Sequence, residues 1–401
     1  MPALDGMRIL DLTQYEAGPA ATQALAWLGA EVVKVEPPGT GEPGRTLATN
    51  YDPSPYFLSY NANKRSVALD LSQAEGRELL LRLVPRYDVF VENYGPGVMD
   101  RLGFDYESLR ALHPELIYAS VKGFGSSGPY ADYKCFDMIA QAAAGAFSVT
   151  GEVDGRPMRP GPTIADTGTG VQLALAITAA YVQRLQTGKG QHIELSMQEA
   201  MTYFMRTMIS YGQLRGLRPT PRTGNQVGSA EIDLYPCKPF GPNDYIYICS
   251  VTPRMWETLC KTMGRPELLR APRFETAPDR AENGEALGAE IEAWTRQHEK
   301  FEAMHLLADA GIPCSAVFDT EDVLNDPHLK ERGFVRTVQH PEVGELELLG
   351  CPMHLSESDV PLREAPELGE GSVDILTRDL DLEVGELEAL LKSGVVAKPG
   401  S

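Results

Sequence analysis

Short apolar strands, polar loops and helices alternate along the first two hundred residues of the chain. The opening unit has a strand at Met7–Leu12, a loop at Thr13–Gly18, a helix that Pro19 opens, and a second strand at Ala30–Val35. The loop lacks GxGxxG, so a dinucleotide ligand has little support. Repeated strand, loop and helix predict an α/β protein with a doubly wound sheet, whose ligand sits at the loops that follow the strands.

The composition changes abruptly near the middle of the chain. Residues 214–228 read LRGLRPTPRTGNQVG, and such a stretch of Arg, Pro and Gly is typical of a linker. The residues beyond it contain further strand and helix patterns, with Trp256 and Trp294 as expected core anchors. We therefore predict a large domain whose first part is residues 1–213, and a smaller α/β domain at residues 229–325.

Composition and charge exclude several classes of protein. The chain has 401 residues, and its formal net charge of −20 without a basic run argues against a nucleic-acid partner. The six cysteines show no CxxC spacing and the seven histidines no HExxH pattern, so we expect no metal site and a reduced, cytoplasmic protein. The most apolar helix, predicted at Val171–Leu185, is too short to cross a bilayer, so no membrane partner is expected.

Asp166 is the strongest local candidate for chemistry. It precedes the small, glycine-bearing stretch Thr167–Gly170, which leads into an apolar helix that ends near Gly188. Unpaired N–H groups at a helix N-terminus favour negative charge, so we expect an ionised carboxylate, with Gly168 and Gly170 allowing a bulky ligand to approach. A structural N-cap is the commoner role for such an aspartate, and a nucleophile is the alternative.

Six stretches that follow one another along the chain share a resemblance. They are MRILDLTQYEAGPAATQALAWLGAEVVKVEPPG, NKRSVALDL, VENYGPGVMDRLGF, IYASVKGFGSSGPY, ADTGTGVQ and TGKGQHIELSMQEA. Together they resemble the family III CoA-transferases, a group that contains formyl-CoA transferase, carnitine CoA-transferase and α-methylacyl-CoA racemase. The resemblance covers nearly the whole chain, because AGIPC and LGE continue it into the second half.

This resemblance implies an architecture that periodicity alone does not give. The large domain would be Rossmann-like and made from both chain ends, with residues 326–401 returning to complete it. Two copies would interlock like rings in a homodimer, with the active site near the junction, although heteromers also occur in the family. The substrates would be an acyl-CoA and a small carboxylic acid, with CoA as a substrate and not as a permanently bound cofactor.

The resemblance also assigns roles to single residues. In these transferases an aspartate in the motif matching ADTGTG attacks the donor acyl-CoA, which makes Asp166 the expected nucleophile. The residues that match CoA-binding positions are Tyr15, Glu16, Ala17, Asn93, Tyr94, Arg101, Lys134, Phe136 and Asp137. Lys64, Arg65 and Lys122 are weaker candidates, for which a solvated surface position is an equal alternative.

The implied reaction passes CoA between two acids through an aspartyl anhydride and an aspartyl-CoA thioester. Glu16 departs from the family pattern, because formyl-CoA transferases carry glutamine there, so oxalate is not assumed to be the acceptor. One alternative is a 2-methylacyl-CoA racemase, although Phe136 stands where racemases of the group carry a histidine that shuttles protons. Another alternative is a CoA-binding subunit of a heteromeric transferase.

Overall fold

The structure is a computed structural model and describes residues 1–47, 54–340 and 344–400. Its strands, in chain order, are β1 (Arg8–Asp11), β2 (Glu31–Glu36), β3 (Arg65–Leu69), β4 (Val89–Glu92), β5 (Ile117–Lys122), β6 (Gln191–Ser196), β7 (Ile232–Pro236), β8 (Tyr245–Cys249), β9 (Cys314–Ala316), β10 (Val335–His340), β11 (Gly344–Leu349) and β12 (Val396–Ala397). Its helices are α1 (Ala17–Trp27), α2 (Pro55–Asn61), α3 (Ala74–Leu83), α4 (Val98–Leu102), α5 (Tyr106–Leu112), α6 (Asp137–Ala143), α7 (Ala146–Val149), α8 (Ile164–Thr187), α9 (Met197–Phe204), α10 (Arg206–Leu214), α11 (Pro253–Thr262), α12 (Ala277–Glu282), α13 (Gly284–Thr295), α14 (Lys300–Asp309), α15 (Thr320–Asn325), α16 (Pro327–Glu331), α17 (Ser372–Leu380) and α18 (Val384–Ser393).

A seven-stranded sheet forms the centre of the first of two compact units. Its strand order is β12-β3-β2-β1-β4-β5-β6, and every neighbouring pair is parallel except β12 with β3. The order reverses on either side of β1, so the loops after β1 and β4 diverge and leave a crevice at the carboxyl ends of the strands. The predicted α/β class with a doubly wound sheet is confirmed.

Both ends of the chain build this unit, which consists of residues 1–147, 159–217 and 332–401. Asp379 on α17 accepts hydrogen bonds from Arg8 Nη2 at 2.6 Å and from the Tyr87 hydroxyl at 2.8 Å. Ile375 and Leu376 of the same helix lie in the core cluster that the strands form. The return of the C-terminal segment therefore completes the core of the N-terminal sheet.

Two glycines of α8 allow it to pack closely against its neighbours. A Cβ atom on Gly170 would lie 2.8 Å from the Ala17 carbonyl oxygen at the start of α1, and one on Gly168 would lie 2.6 Å from the Phe204 ring. These glycines make room for protein atoms, so the close approach of a ligand that the sequence analysis expected there is not their role. The packing holds the start of α1 against the first turns of α8, which contain Asp166.

The second unit consists of residues 148–158 and 218–331. Its sheet has the antiparallel order β7-β8-β9, and its core contains Trp256 and Trp294, both buried as expected. The sequence analysis assigned residues 148–158 to the large domain, and its division into domains stays a prediction.

Within the described ranges, even the 24-residue helix α8 is not long and apolar enough to cross a membrane, and neither is any other helix. Across the same ranges, no three His, Cys, Asp or Glu side chains are grouped so that they could hold a metal ion.

Candidate active site

Asp166 lies in the first turn of α8. Thr163 occupies the N-cap position, so Asp166 is the third residue of the helix and not its cap. The N–H groups of Ala165 and Asp166 both donate to Oδ1 of Asp137, at 3.0 and 3.2 Å. Gln141 donates to the other oxygen of Asp137 at 2.6 Å. Asp137 therefore caps this helix from α6, and the structural N-cap role considered for Asp166 is wrong.

The surroundings of Asp166 oppose the ionisation that the sequence analysis expected. Burial, together with the negative charges of Glu16 and Asp137, raises the pKa of Asp166 to about 8. The N-terminus of α8 does not lower this pKa, because the Asp137 carboxylate already accepts hydrogen bonds from the N–H groups there. Near the charges of Glu16 and Asp137, a further negative charge on Asp166 is unfavourable. A more basic carboxylate is a stronger nucleophile once it loses its proton.

Cys135 lines the same cavity as Asp166, and a cysteine thiol can also act as a nucleophile. Burial and the Asp166 charge raise the pKa of the Cys135 thiol to about 11. The thiol therefore stays protonated at neutral pH, and the thiolate needed for attack is not formed.

Glu16 is held by hydroxyl groups. Its side chain is buried, and its Oε1 accepts hydrogen bonds from the hydroxyls of Thr163 and Thr167, the latter at 2.7 Å. Burial and the Glu16 charge raise the pKa of Tyr56, which keeps that phenol protonated as a third donor, 3.4 Å from Oε2. Among the described residues, no Lys or Arg forms an ion pair with Glu16, so its charge acts on Asp166 without a neutralising partner.

A cavity of about 250 Å³ opens beside Asp166, between the loops that follow β1, β4 and β5. The predicted site residues that line it are Tyr15, Glu16, Ala17, Asn93, Tyr94, Lys134, Phe136 and Asp166. The rings of Tyr15 and Phe136 meet edge to face, with their centroids 5.7 Å apart. The fold thus brings residues from three of the family motifs together with Lys134 and Phe136 from the loop after β5, and their binding of CoA stays a prediction.

Two of the predicted site residues are not in the cavity wall. Asp137 is buried and holds the start of α8, while Arg101 is exposed on α4. Lys64 was considered as a CoA ligand or as a surface cation, and both interpretations are wrong. Its amino group is fully buried, 3.0 Å from Oδ2 of Asp11. Arg65 is a partly exposed cation in ion pairs with the C-terminal segment.

Several cavity residues were missed by the sequence analysis. They are Gln14, Gly95, Pro96, Val121, Gly123, Ala131, Tyr133, Cys135 and Met197. All except Met197 lie in the loops that follow β1, β4 and β5 or next to those loops. Selecting each of these loops with its flanking residues would therefore have identified them from the sequence. Lys122, a weaker candidate, also lines the cavity, and its amino group donates to Glu92 at 2.8 Å and to the Tyr94 carbonyl at 2.8 Å.

The chain is similar to known proteins over nearly its whole length. The model of the family described as CoA-transferase family III matches residues 4–372. A formyl-CoA:oxalate CoA-transferase of Streptomyces avermitilis is 39% identical over 409 residues, which cover 98% of this chain and 99% of the relative. A protein of the same name from Bradyrhizobium diazoefficiens is 38% identical over 419 residues, covering 99% and 98%. The crystal structure of a CAIB/BAIF family protein from Brucella suis matches with a TM-score of 0.84 at 34% identity, covering 94% of this chain and 99% of that one.

Proposed function

This chain belongs to CoA-transferase family III, and we propose that it moves CoA from an acyl-CoA to a free carboxylic acid through covalent intermediates on Asp166. The observation that carries the proposal is the position of Asp166, a basic carboxylate in the wall of a cavity at the carboxyl ends of parallel strands. Lys134 in the same wall supplies a positive charge for a phosphate of CoA. The site would work in the cytoplasm, within an interlocked homodimer.

In the first half of the reaction, ionised Asp166 attacks the thioester carbonyl carbon of the donor. The C–S bond breaks, CoA leaves as a thiolate, and the donor acyl group is joined to Asp166 as a mixed anhydride. The thiolate then attacks the aspartyl carbonyl carbon and releases the donor acid as a carboxylate. The product is an aspartyl-CoA thioester, and no oxidant or water is consumed.

The second half repeats these steps with the acceptor acid. Its carboxylate attacks the aspartyl thioester, CoA leaves again as a thiolate, and a new mixed anhydride forms. Attack of the thiolate on the acceptor's acyl carbon produces the new acyl-CoA and regenerates the Asp166 carboxylate. Each step exchanges one activated acyl bond for another, so water must be kept from the anhydride and the thioester.

The acidic surroundings of Asp166 favour an acceptor with one carboxylate. Glu16 and Asp137 place two negative charges near Asp166, and these charges would repel a second carboxylate on the acceptor. The relatives are named for oxalate, which carries two carboxylates. We propose that this chain prefers monocarboxylic acids to oxalate.

The racemase alternative has less support. Phe136 cannot transfer a proton, and none of the described residues that line the cavity is a histidine. Solvent deuterium entering carbon 2 of a 2-methylacyl-CoA, with no acceptor acid present, would favour that alternative.

The decisive experiment uses the purified chain alone, with formyl-CoA, acetyl-CoA and succinyl-CoA against a panel of carboxylic acids that includes oxalate. Mass spectrometry should detect a new acyl-CoA in at least one pair, and hydroxylamine should trap an adduct at Asp166 during turnover. Activity without a partner chain would remove the interpretation as a subunit of a heteromer. The proposal fails if no pair exchanges, or if Asp166→Ala retains the exchange.

A further inference from the structure

The loop between β1 and α1 places Tyr15 and Glu16 in the cavity wall, and buried side chains from outside the loop hold its backbone. At its start, Oδ1 of Asp11 accepts a hydrogen bond from the Thr13 N–H at 2.8 Å. Lys34, fully buried on β2, donates from Nζ to the Thr13 carbonyl at 2.7 Å. Side chains of the protein itself therefore hold the path of this loop.

Tyr15 has the most demanding backbone in the loop. Its φ of +63° is in the left-handed region, which residues with a Cβ atom rarely adopt and which needs support from neighbouring groups. The Tyr15 N–H donates to Oε2 of Glu42 at 3.0 Å. Glu42 in turn is fixed, because the same oxygen accepts the Gly44 N–H at 2.7 Å and Oε1 lies 3.7 Å from Lys34 Nζ.

We infer that Glu42 is a positioning residue for the acyl-CoA cavity, which acts through the backbone of Tyr15. Glu42 is only 2% exposed and is not among the described residues that line the cavity, so its effect on a ligand must pass through Tyr15. The left-handed backbone directs the Tyr15 ring against Phe136, where the two rings form part of the wall. This inference rests on the proposed function and deepens it, because it names a residue that shapes the same site.

A crystal structure of the full-length Glu42→Ala variant tests the first link. We expect Tyr15 to leave the left-handed region and its ring to separate from Phe136, because the Tyr15 N–H loses the carboxylate that accepts its hydrogen bond. An unchanged Tyr15 φ and ring position would overturn the inference. If Glu42→Ala does not fold, Glu42→Gln is the milder variant. Its single amide oxygen can accept some of the hydrogen bonds that the carboxylate accepts, so we expect a mixture of Tyr15 conformations.

Calorimetric titration with CoA tests the second link. Glu42→Ala should weaken CoA binding about tenfold, or about 1.4 kcal/mol, and Glu42→Gln should restore part of the loss. The matched control is Glu231→Ala, which breaks a different buried ion pair, with Arg280 at 2.7 Å, and should leave CoA affinity unchanged. An equal loss in the control would assign the effect to general destabilisation and overturn the inference.

A double-mutant cycle separates positioning from simple loss of stability. Glycine adopts the left-handed region without strain, so in a Tyr15→Gly background the Glu42→Ala change should alter CoA affinity less than twofold. Additive losses would overturn the inference. If the unmodified chain binds no CoA, the proposed function fails, while the Tyr15 conformation in the Glu42→Ala crystal still decides the role of Glu42.

Discussion

Two clusters of carboxylates adjoin the loop after β1, and their pKa values are shifted in opposite directions. Below the loop, Asp11 is paired with Lys64 at 3.0 Å. Burial alone would raise the pKa of Asp11, but Lys64 and Lys34 lower it well below its usual range. Beside the cavity, Asp166 is near Glu16 and Asp137, and burial with these charges raises its pKa to about 8.

The difference teaches that burial does not decide the behaviour of a carboxylate by itself. The lower cluster is neutralised by fixed cations and serves to hold backbone in place. The cavity cluster has only hydroxyl, amide and N–H donors among the described residues, so no cation there offsets its negative charges. Cations lower the pKa of the carboxylate in the first cluster, and uncompensated like charges raise it in the second.

The largest effect should come from removing the reacting group of the cavity cluster. We expect Asp166→Ala to lower kcat on the order of 10⁴-fold, because the covalent route is lost. Steady-state assays of CoA exchange measure it, with circular dichroism and CoA titration to verify that the variant is folded and binds. Asp166→Glu, which keeps a carboxylate but moves it, should recover a detectable part of the activity.

Breaking the paired cluster should affect stability instead of chemistry. Lys64→Met leaves Asp11 buried without its closest cation, and the free energy of unfolding should fall by about 3–5 kcal/mol. Urea denaturation measures this loss. Arg65→Met is the matched control, because Arg65 is next in sequence but partly exposed, and it should cost about 0–1 kcal/mol. Equal losses would show that the buried cluster has no special role.

Asp166→Asn should stabilise the fold at alkaline pH. The native pKa of about 8 lies above the usual 3.8, so the folded protein holds a proton that the unfolded chain releases. The unmodified protein therefore loses stability as pH rises from about 4 to about 8, and an asparagine avoids that loss. Because Asp166 is partly exposed, solvent reduces this effect. Between pH 4 and pH 8, the free energy of unfolding of Asp166→Asn should gain on the order of 1–2 kcal/mol relative to that of the unmodified protein, as measured by urea denaturation.

The matched control for this stability change is Asp105→Asn. Hydrogen bonds from Ser108 lower the pKa of Asp105, so its stabilising contribution is present above the usual pKa and is lost at acid pH. As pH rises, the free energy of unfolding of Asp105→Asn should therefore fall relative to that of the unmodified protein. The change for Asp166→Asn should have the opposite sign. The same sign in both variants would contradict the contrast between the two carboxylates.

The smallest effect concerns the pH dependence of turnover. The nucleophile must be ionised, so kcat/KM should rise with pH and level off above about 8. Glu16→Gln removes one of the two charges that raise the pKa of Asp166, and the rising limb should move to lower pH. Activity at pH 6.5 relative to pH 9 should increase on the order of threefold. A profile that does not move would mean that Glu16 does not influence Asp166.

Much of the sheet could be predicted because its strands are short apolar runs that polar or glycine-bearing loops interrupt. The strands predicted at Met7–Leu12 and Ala30–Val35 match β1 and β2 within one residue at each end for that reason. The start of α8 was placed too late, because Gly168 and Gly170 look like a helix boundary when the packing of α1 and α9 against them is unknown.

The electrostatics of the site could not be predicted from local sequence. The pKa of Asp166 depends on burial and on Glu16 and Asp137, which are 150 and 29 positions away in the chain. Lys64 likewise looks like an ordinary surface cation until the fold places Asp11 beside it. The resemblance pointed to part of the cavity wall, but the charge that each side chain experiences is a property of the assembled fold.

The strand β12 has a consequence for how the protein is made. It pairs with β3, whose residues leave the ribosome more than three hundred positions earlier. Until β12 is synthesised, the outer edge of β3 has backbone groups without a partner strand and is open to pairing with other nascent chains. Holding β3 in a chaperone during translation, or supplying the last strand as a separate peptide, should therefore raise the yield of correctly folded molecules.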